Sequence, residues 1–416
     1  MSSALLIIER NEQILSLLYQ DNRLVQVKAH DKREDGPSSL PLNAIYIGKV
    51  KNVVPSIDAA FVEVCNGQMG FLPMKHAKNP IIVNRKYDGR VVAGDEILVQ
   101  IEKEGIKTKD PGLTCNLSFT GKYCVLTTGK HNLGFSTKLN YSVKESLKKT
   151  FDVWKIEDIL QNENVGMVVR TNVSNLVEDS NIAENEVDID TASKLDIFRN
   201  ELDTLFIQKR NVLDSVSYRT CFSCLYQPME GYLQDIRDTY EDSFDKIITN
   251  CASVYEKIRE EFPHLHNVEF YEDSRISLDK LYSVETRLKE ALDERVWLKS
   301  GAYLIIQQTE ALTVVDVNSG KIQKKNPKDD IYLEINKEAA REIALQLQLR
   351  NLSGIIIIDF ISHNTKEQDN ELLCYLSSLI KKDPVKTNVI DMTPLGLVEV
   401  TRKKIHKSLK EQLKFS

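Results

Sequence analysis

The sequence predicts a multidomain protein of mixed α+β and α/β class, in which a small β-barrel is combined with units of alternating strands and helices. Its 416 residues are enough for about two to four domains with their own cores. Residues 43–126 contain five short strand-like runs separated by turns, a pattern typical of a closed barrel of the OB type. Residues 215–275 alternate strand-like and helix-like runs, which indicates an α/β unit.

The first part of the chain is predicted to be rich in strands. Three runs precede a boundary at the Gly-Pro-Ser-Ser stretch of residues 36–39, and Asp21-Asn22 supplies hairpin turn chemistry between the last two. The first three strands are expected at Ala4–Ile8, Ile14–Tyr19 and Leu24–Val27, and those of the barrel at Ile45–Val50, Ala59–Val64, Gly70–Leu72, Glu96–Ile101 and Leu113–Phe119.

The middle of the chain mixes both kinds of element. A strand is expected at Gly166–Arg170, and the spacing of apolar residues predicts a helix over Ala192–Val212. Strand and helix patterns then alternate along Cys221–Leu225, Tyr232–Thr239, Lys246–Thr249, Cys251–Glu261 and Val268–Tyr271.

The last segment carries the clearest patterns. Tyr303–Ile306 and Leu312–Val315 are predicted to be paired strands. Ile355–Ile358 is apolar at every position, as in a central strand that is covered on both faces. Two amphipathic helices accompany these strands, one presenting Leu281, Val284, Leu288, Ala291 and Leu292 and the other Ala340, Ile343, Ala344 and Leu347.

Composition excludes several classes of protein. Hydrophobic residues make up 42% and charged residues 28% of the chain, as in an ordinary soluble globular protein. The longest apolar runs, Ala4–Ile8 and Ile355–Ile358, are far shorter than the roughly 18 residues of a membrane span, and the first is too short for a secretory signal. We therefore expect no membrane span and a cytoplasmic location.

The seven cysteines are odd in number and scattered, which argues against a disulfide framework. Only Cys221 and Cys224 form a CxxC pair, and no second pair follows at the spacing that a tetrahedral zinc site with four ligands needs. Buried thiols on an apolar strand are therefore a better interpretation of this pair than a zinc or redox site.

The net charge of −6 is unusual for a nucleic-acid-binding protein, but the charges are unevenly distributed. Six acidic residues and no basic one lie between Asn175 and Ser193, a composition typical of a solvated loop. Two basic clusters are candidates for binding phosphates, although the second is equally consistent with a solvated helix face. They consist of Lys321, Lys324, Lys325 and Lys328, and of Arg402, Lys403, Lys404, Lys407 and Lys410.

Two aspartates stand where a buried strand ends. Asp316 follows Leu312–Val315 and Asp359 follows Ile355–Ile358, at the position where open α/β sheets place their ligands. If the strands are neighbours, the two carboxylates repel unless a cation lies between them, and magnesium is the cation held by one or two carboxylates plus waters and phosphates. Asn318 would orient a carboxylate or a metal-bound water. The alternative is that the aspartates cap a helix or anchor a turn.

Aromatic residues of the barrel give an independent indication. Phe61 and Phe71 lie on either side of a short turn, and Tyr46 is on the preceding strand. Exposed aromatic rings on an OB sheet stack single-stranded bases, although the same rings can also simply form the core.

Seven stretches of the chain form a recognisable set of motifs. They are Ile45–Val50, Ala59–Glu63, Gly70–Pro73, Glu294–Gly320, Leu349–Phe360, Val385–Val389 and Gly396–Arg402. In this order they resemble the ribonuclease E/ribonuclease G family, in a short form like ribonuclease G. The resemblance implies a magnesium-dependent endoribonuclease, with manganese as an alternative ion, that cleaves single-stranded RNA in processing and decay. Its products would carry 5′-phosphate and 3′-hydroxyl ends.

The resemblance also assigns roles and parts. Asp316 and Asp359 would bind the catalytic metal with support from Asn318; Phe135, Arg170 and Thr171 would sense a 5′-monophosphate; Phe61, Phe71 and Lys109 would hold RNA on the barrel. The implied parts are an RNase H-like unit of residues 1–39 and 215–278, an OB-fold barrel at 40–126, a 5′-sensor region at 127–214 and a deoxyribonuclease I-like catalytic unit at 279–416.

The sequence departs from the family pattern in three respects. It lacks the CPxC zinc-link that follows the catalytic unit in relatives, so we expect no structural zinc, and a homo-oligomer would not be joined in that way. Ser362 replaces an aspartate, and Leu345 and Gln348 replace arginines, changes that would weaken RNA binding or alter the choice of site. As a third departure, we expect no long disordered tail of the kind that recruits other degradation enzymes.

Two functional hypotheses follow. The first is the endoribonuclease, and the alternative is a non-catalytic RNA-binding or regulatory protein that uses the barrel and sensor alone. The presence of Asp316, Asn318 and Asp359 favours the first.

Overall fold

The computed structural model describes residues 3–31, 40–65, 67–105, 110–129, 132–177, 189–238, 244–320 and 329–413. The chain divides into two compact units, one formed by Met1–Arg33 with Gly231–Ser416 and the other by Glu34–Glu230. Both units mix helices with sheets, which confirms the predicted class. Among the helices described, none has the length and apolar character that a membrane crossing requires.

Three antiparallel strands open the chain, as predicted. They are β1 (Ser3–Arg10), β2 (Gln13–Gln20) and β3 (Arg23–Asp31). The turn at Asp21-Asn22 has positive φ at both residues, which matches the twist of a two-residue hairpin. The turn at Asn11-Glu12 has the same conformation, although Glu12 is an unusual residue for it.

The next five strands form the barrel of the second unit: β4 (Ile45–Val54), β5 (Ala59–Cys65), β6 (Gln68–Pro73), β7 (Glu96–Lys103) and β8 (Gly112–Thr114). They are ordered β4-β5-β6-β8-β7, and β7 pairs again with β4 and closes the barrel. Only β6 and β8 run parallel within this closed set of described strands. This closed five-stranded barrel is consistent with the predicted OB fold.

A second sheet of this unit begins where one strand was predicted to continue. Leu113–Phe119 was expected to be a single strand, but it divides because Cys115 N–H donates to the His76 carbonyl and Leu117 N–H to Thr128 Oγ1. The strands of the second sheet are β9 (Ser118–Thr120), β10 (Cys124–Thr127), β11 (Leu133–Phe135) and β12 (Gly166–Val169). They are ordered β11-β12-β10-β9.

Four helices pack around this second sheet. They share a core with it that includes Phe119, Phe151 and Phe198. The helices are α1 (Tyr141–Trp154), α2 (Ile156–Asn162), α3 (Ser174–Val177) and α4 (Ile189–Ser215). The strand predicted at Cys221–Leu225 is shorter, as β13 (Cys224–Tyr226), and it pairs with barrel strand β4.

The first sheet is completed by strands from after residue 230. The elements are α5 (Gly231–Asp238), β14 (Lys246–Thr249), α6 (Ala252–Glu261) and β15 (Val268–Phe270). Strand β14 runs parallel to β1 and β15 runs parallel to β14, so the order is β15-β14-β1-β2-β3. Two helices follow, α7 (Leu278–Leu281) and α8 (Val284–Leu292).

The helix face predicted around Leu281 is only partly correct. Ser283 has a left-handed conformation, with φ of 51°, and separates α7 from α8. As a result Leu281 is 54% exposed, whereas Val284, Leu288 and Ala291 are buried.

The last sheet has six strands and is accompanied by three helices. The elements are β16 (Arg295–Trp297), β17 (Tyr303–Gln308), β18 (Leu312–Asn318), α9 (Asp329–Leu349), β19 (Gly354–Asp359), α10 (Lys366–Ile380), β20 (Thr387–Met392), β21 (Leu397–Arg402) and α11 (Leu409–Gln412). The strands are ordered β16-β17-β18-β19-β21-β20. Only β18 and β19 are parallel among these described strands, and helix α9 connects the two.

Helices α9 and α10 pack on one face of this sheet. Their apolar residues share a core with Val315, Ile356, Ile358 and other inward residues. The opposite face is open in the described residues, because Ile355 is 52% exposed and Val314 is also exposed. The prediction that Ile355–Ile358 is covered on both faces is therefore wrong: two of the four isoleucines face the core, and the other two share the open face with the strand-end aspartates.

Candidate active site

The two strand-end aspartates lie directly opposite each other. Strands β18 and β19 are parallel neighbours, and Asp316 pairs with Asp359 in their register. Because adjacent strands are about 4.8 Å apart, the backbones that carry the two carboxylates are close. Thr313, Val315 and Val317 turn toward the helices, so the alternation of the strand places Asp316 and Asn318 on the open face.

Asn318 holds one of the two carboxylates. Its side-chain Nδ2 donates a hydrogen bond to Asp316 Oδ2 at 2.5 Å. Asp316 is half-buried and Asp359 is exposed. Within the part of the chain that the structure describes, neither carboxylate forms an ion pair with a lysine, arginine or histidine. Two carboxylates that face each other without a cation repel, so this position favours a bound positive ion.

The donor set fits magnesium. The two carboxylates and the amide that orients one of them supply hard oxygen ligands on a face that water and a phosphate can reach. Within the ranges given above, no group of three or more His, Cys, Asp or Glu side chains is arranged to hold a metal ion. Because they are paired across β18 and β19, Asp316 and Asp359 are the residues that would hold such an ion, with the remaining positions left to water and substrate.

A buried network fixes the loop that follows Asp359. The His363 side chain, 1% exposed, bonds through Nδ1 to Asp369 Oδ1 of α10 at 2.9 Å and through Nε2 to Asn336 Nδ2 of α9 at 2.8 Å. Asn336 also donates to the Ile361 carbonyl and accepts from the Ile361 N–H. Sequence reasoning missed this network, although a histidine four residues after a strand-end aspartate was a usable signal.

The residues expected to sense a 5′-monophosphate are neighbours in the second unit. Phe135 pairs with Val169 across parallel strands, and Arg170 follows directly. Thr171 begins a short 3-10 helix, Thr171–Val173. The Arg170 guanidinium donates a hydrogen bond to the Gly121 carbonyl, and the Arg170 backbone N–H donates one to the Tyr123 carbonyl. The three residues are thus brought together, with the arginine anchored to the turn before β10.

The barrel places two of its aromatic residues outside the core. Phe61 and Phe71 are direct partners on β5 and β6, with ring centroids 5.8 Å apart in an edge-to-face arrangement. Both are half-exposed, so the interpretation that they are core residues is wrong for this pair. Tyr46 is buried in the barrel core and is not available for stacking. Lys109 lies outside the described residues.

Other candidates from the sequence have different settings. Cys224 is exposed and Cys221 half-buried, so the prediction of two buried thiols is wrong, and no disulfide joins the described cysteines. Arg402 is buried and bonds to Asp383 and Asn351, so it is not a phosphate ligand. Lys403 and Lys404 are exposed, but they lie before α11 and therefore do not form part of a helix face. The cluster Lys321, Lys324, Lys325 and Lys328 and nearly all of the acidic run lie outside the described residues.

The three positions that depart from the family pattern have different settings. Ser362 is exposed in the loop between Asp359 and His363, and Leu345 and Gln348 are half-buried on α9.

Comparison with known proteins identifies the family of the chain. A sequence profile described as the Ribonuclease E/G family matches residues 118–405. Ribonuclease G of Salmonella typhimurium is 31% identical over 385 residues, which cover 89% of this chain and 74% of the relative. Ribonuclease G of Escherichia coli K12 is 31% identical over 384 residues, with the same coverage. Ribonuclease E of Synechocystis sp. is 28% identical over 418 residues, which cover 98% of this chain and 57% of that longer protein. The chain therefore belongs to the ribonuclease E/G family.

Proposed function

We propose that the protein is a magnesium-dependent endoribonuclease that hydrolyses single-stranded RNA in RNA processing and decay. The observation that carries this proposal is the pairing of Asp316 with Asp359 on adjacent parallel strands, with Asn318 bonded to Asp316. Family membership supports the RNA substrate, because the matched relatives are named ribonucleases. No disulfide joins the described cysteines, as in proteins of a reducing compartment, and we propose that the protein is cytoplasmic.

The chemistry follows from the carboxylate pair. Asp316 and Asp359 would hold magnesium, or manganese as an alternative ion, and Asn318 would keep Asp316 in position. When bound, such an ion supplies a hydroxide nucleophile and stabilises the charge that develops on a phosphodiester. Attack of water oxygen on phosphorus breaks the bond to the 3′ oxygen, so the products carry 5′-phosphate and 3′-hydroxyl ends.

The second unit offers two further contacts for RNA. Phe61 and Phe71 present half-exposed rings on the outside of the barrel, where unpaired bases can stack. We propose Lys109 as an additional contact for the backbone. We also propose that Arg170, with Thr171 and the backbone of Phe135, recognises a 5′-monophosphate, because an arginine fork grips phosphate bidentately.

We also propose a fold type for each of two sheets of the first unit. Three antiparallel strands followed by two parallel ones, with helices between, support an RNase H-like arrangement for β15-β14-β1-β2-β3. The six-stranded sheet that carries the aspartates would be the deoxyribonuclease I-like catalytic part.

The test compares RNA binding with RNA cleavage. A labelled single-stranded RNA is incubated with the protein, with and without magnesium, and the ends of the products are identified. Cleavage only with magnesium, giving 5′-phosphate and 3′-hydroxyl ends, supports the proposal. Binding without cleavage under all conditions would instead favour the non-catalytic RNA-binding protein.

A further inference from the structure

Trp297, Tyr303 and Arg295 form a cluster on the open face of the last sheet, which we name the aromatic platform. Trp297 on β16 is the direct partner of Tyr303 on β17, and their ring centroids are 5.1 Å apart with a tilt of 56°. The Arg295 guanidinium carbon lies 4.8 Å from the Tyr303 ring centroid and 5.8 Å from that of Trp297. The cation thus lies over both rings.

The aromatic platform is next to the carboxylate pair in the same sheet. Tyr303 is the direct partner of Asn318. In the row of residues that includes the aspartates, Arg295 pairs with Ile305, Ile305 with Asp316 and Asp316 with Asp359. Trp297 is therefore about two strand spacings, roughly 10 Å, from the strand of Asp316. If a phosphate of the RNA lies at the aspartates, the neighbouring nucleotide can therefore reach the aromatic platform.

Exposure of the tryptophan indicates a ligand. Trp297 is 63% exposed, although the other side of the same sheet buries its apolar residues under α9 and α10. The pairing of Trp297 with Tyr303 across two strands would by itself stabilise the hairpin. That role does not require the larger ring to remain in water, whereas a surface that stacks on a base does.

We propose that the aromatic platform stacks an unpaired base of the RNA substrate beside the phosphate that is cleaved. This inference rests on the proposed function. An aromatic face stacks on any base, and the Arg295 cation adds attraction to the ring and to the adjacent phosphate. The platform thus favours RNA that is single-stranded at that position, because a paired base cannot turn its face toward the ring.

The experiment measures RNA binding position by position. An oligoribonucleotide that the protein cleaves is prepared with a single abasic site moved along it, and its affinity is measured without magnesium for Asp316→Asn protein. We expect one position, near the cleavage site, where the abasic site weakens binding roughly tenfold. Adding Trp297→Ala should weaken binding of the intact RNA by a similar factor and remove the sensitivity at that position alone.

Trp297→Phe is the matched control, because it retains an aromatic face in the same hairpin and should keep the abasic sensitivity. The chain has two tryptophans, so the tryptophan fluorescence of Trp154→Phe protein comes from Trp297 alone. Its fluorescence should be quenched by the intact RNA and much less by the RNA that is abasic at the sensitive position. This second measurement needs no truncation of Trp297.

Each other outcome overturns the inference in a distinguishable way. If no variant binds RNA, the proposed function fails and the platform with it. If the protein binds and cleaves RNA but Trp297→Ala leaves the abasic profile unchanged, only the platform is wrong. If Trp297→Ala changes the mass measured by light scattering and leaves RNA affinity intact, the open face is an interface between copies of this chain.

Discussion

At the scale of single residues, the hydrogen bond from Asn318 to Asp316 decides how well one carboxylate is held. Asn318→Ala removes a bond to a charged group, and such bonds contribute about 1.5–3 kcal/mol. We expect kcat for RNA cleavage to fall at least roughly tenfold, with KM little changed, because positioning and not RNA affinity is lost. Steady-state kinetics in excess magnesium measures both constants. Asn388→Ala, an exposed asparagine on β20, is the control and should behave like the unaltered protein.

Arg170 tests the sensing of the RNA end. Arg170→Ala should reduce the ratio of cleavage rates for 5′-monophosphorylated and 5′-hydroxyl RNA toward one, because the bidentate donor to phosphate is gone. Arg170→Lys keeps the charge without the fork and should retain only part of the preference. Competition between the two RNAs in one reaction measures the ratio directly. Equal cleavage of both RNAs by the unaltered protein would refute the sensor assignment.

At the scale of elements, the His363 network joins the loop after β19 to helices α9 and α10. His363→Ala leaves the buried Asn336 amide and the partly exposed Asp369 carboxylate without this partner. Loss of the partner of a buried polar group costs about 1–3 kcal/mol. We expect a lower melting temperature and a lower kcat, since the backbone that follows Asp359 loses two anchors. Thermal unfolding and single-turnover cleavage measure the two effects. His266→Ala, at an exposed histidine, should change neither; a loss of stability at unchanged rate would show that the network does not position Asp359.

Strand β3 and helix α5 are joined by a buried carboxylate. Burial raises the pKa of Asp235, but Lys28 and His30, which both bond to it, more than offset this effect and bring the pKa well below its ordinary value. The unfolded pKa is about 3.9, so this group stabilises the fold above that pH, and its contribution is lost as the pH falls through the folded pKa.

Asp235→Asn should therefore lower the urea midpoint at pH 7, by an amount that corresponds to about 2 kcal/mol. It should also flatten the decline of stability below about pH 4, because the titrating group is absent. Urea unfolding at a series of pH values measures both effects. Glu269→Gln removes an exposed ion pair with Lys246 in the same sheet and should have little effect. An unchanged pH profile in Asp235→Asn would contradict the assignment.

At the scale of the whole molecule, local patterns predicted most elements. The hairpin at Asp21-Asn22, the barrel strands and the strand-helix-strand unit around α9 each follow from turn chemistry or apolar periodicity, which act over neighbouring residues. The proximity of Asp316 and Asp359 was expected only if their strands were neighbours, and the structure shows that they are.

What could not be predicted depends on tertiary contacts. An unbroken run such as Ile355–Ile358 does not reveal whether helices cover one face of a sheet or two. The division of Leu113–Phe119 arises from hydrogen bonds to His76 and Thr128, which are distant in sequence. The left-handed conformation of Ser283 leaves no periodic signal in the sequence. The partners of His363 and the aromatic platform likewise come from separate elements, so only the fold shows which side chains meet.

We propose above that Asp316 and Asp359 together would hold the ion needed for RNA cleavage. The most direct measurement is cleavage of a labelled single-stranded RNA at increasing magnesium concentration by the unaltered protein, Asp316→Asn and Asp359→Asn, with RNA affinity measured in parallel. We predict magnesium-dependent cleavage by the unaltered protein, and cleavage reduced by several orders of magnitude in each variant with RNA affinity largely retained. Cleavage at the full rate by either variant, or full cleavage after removal of divalent ions, would contradict the assignment.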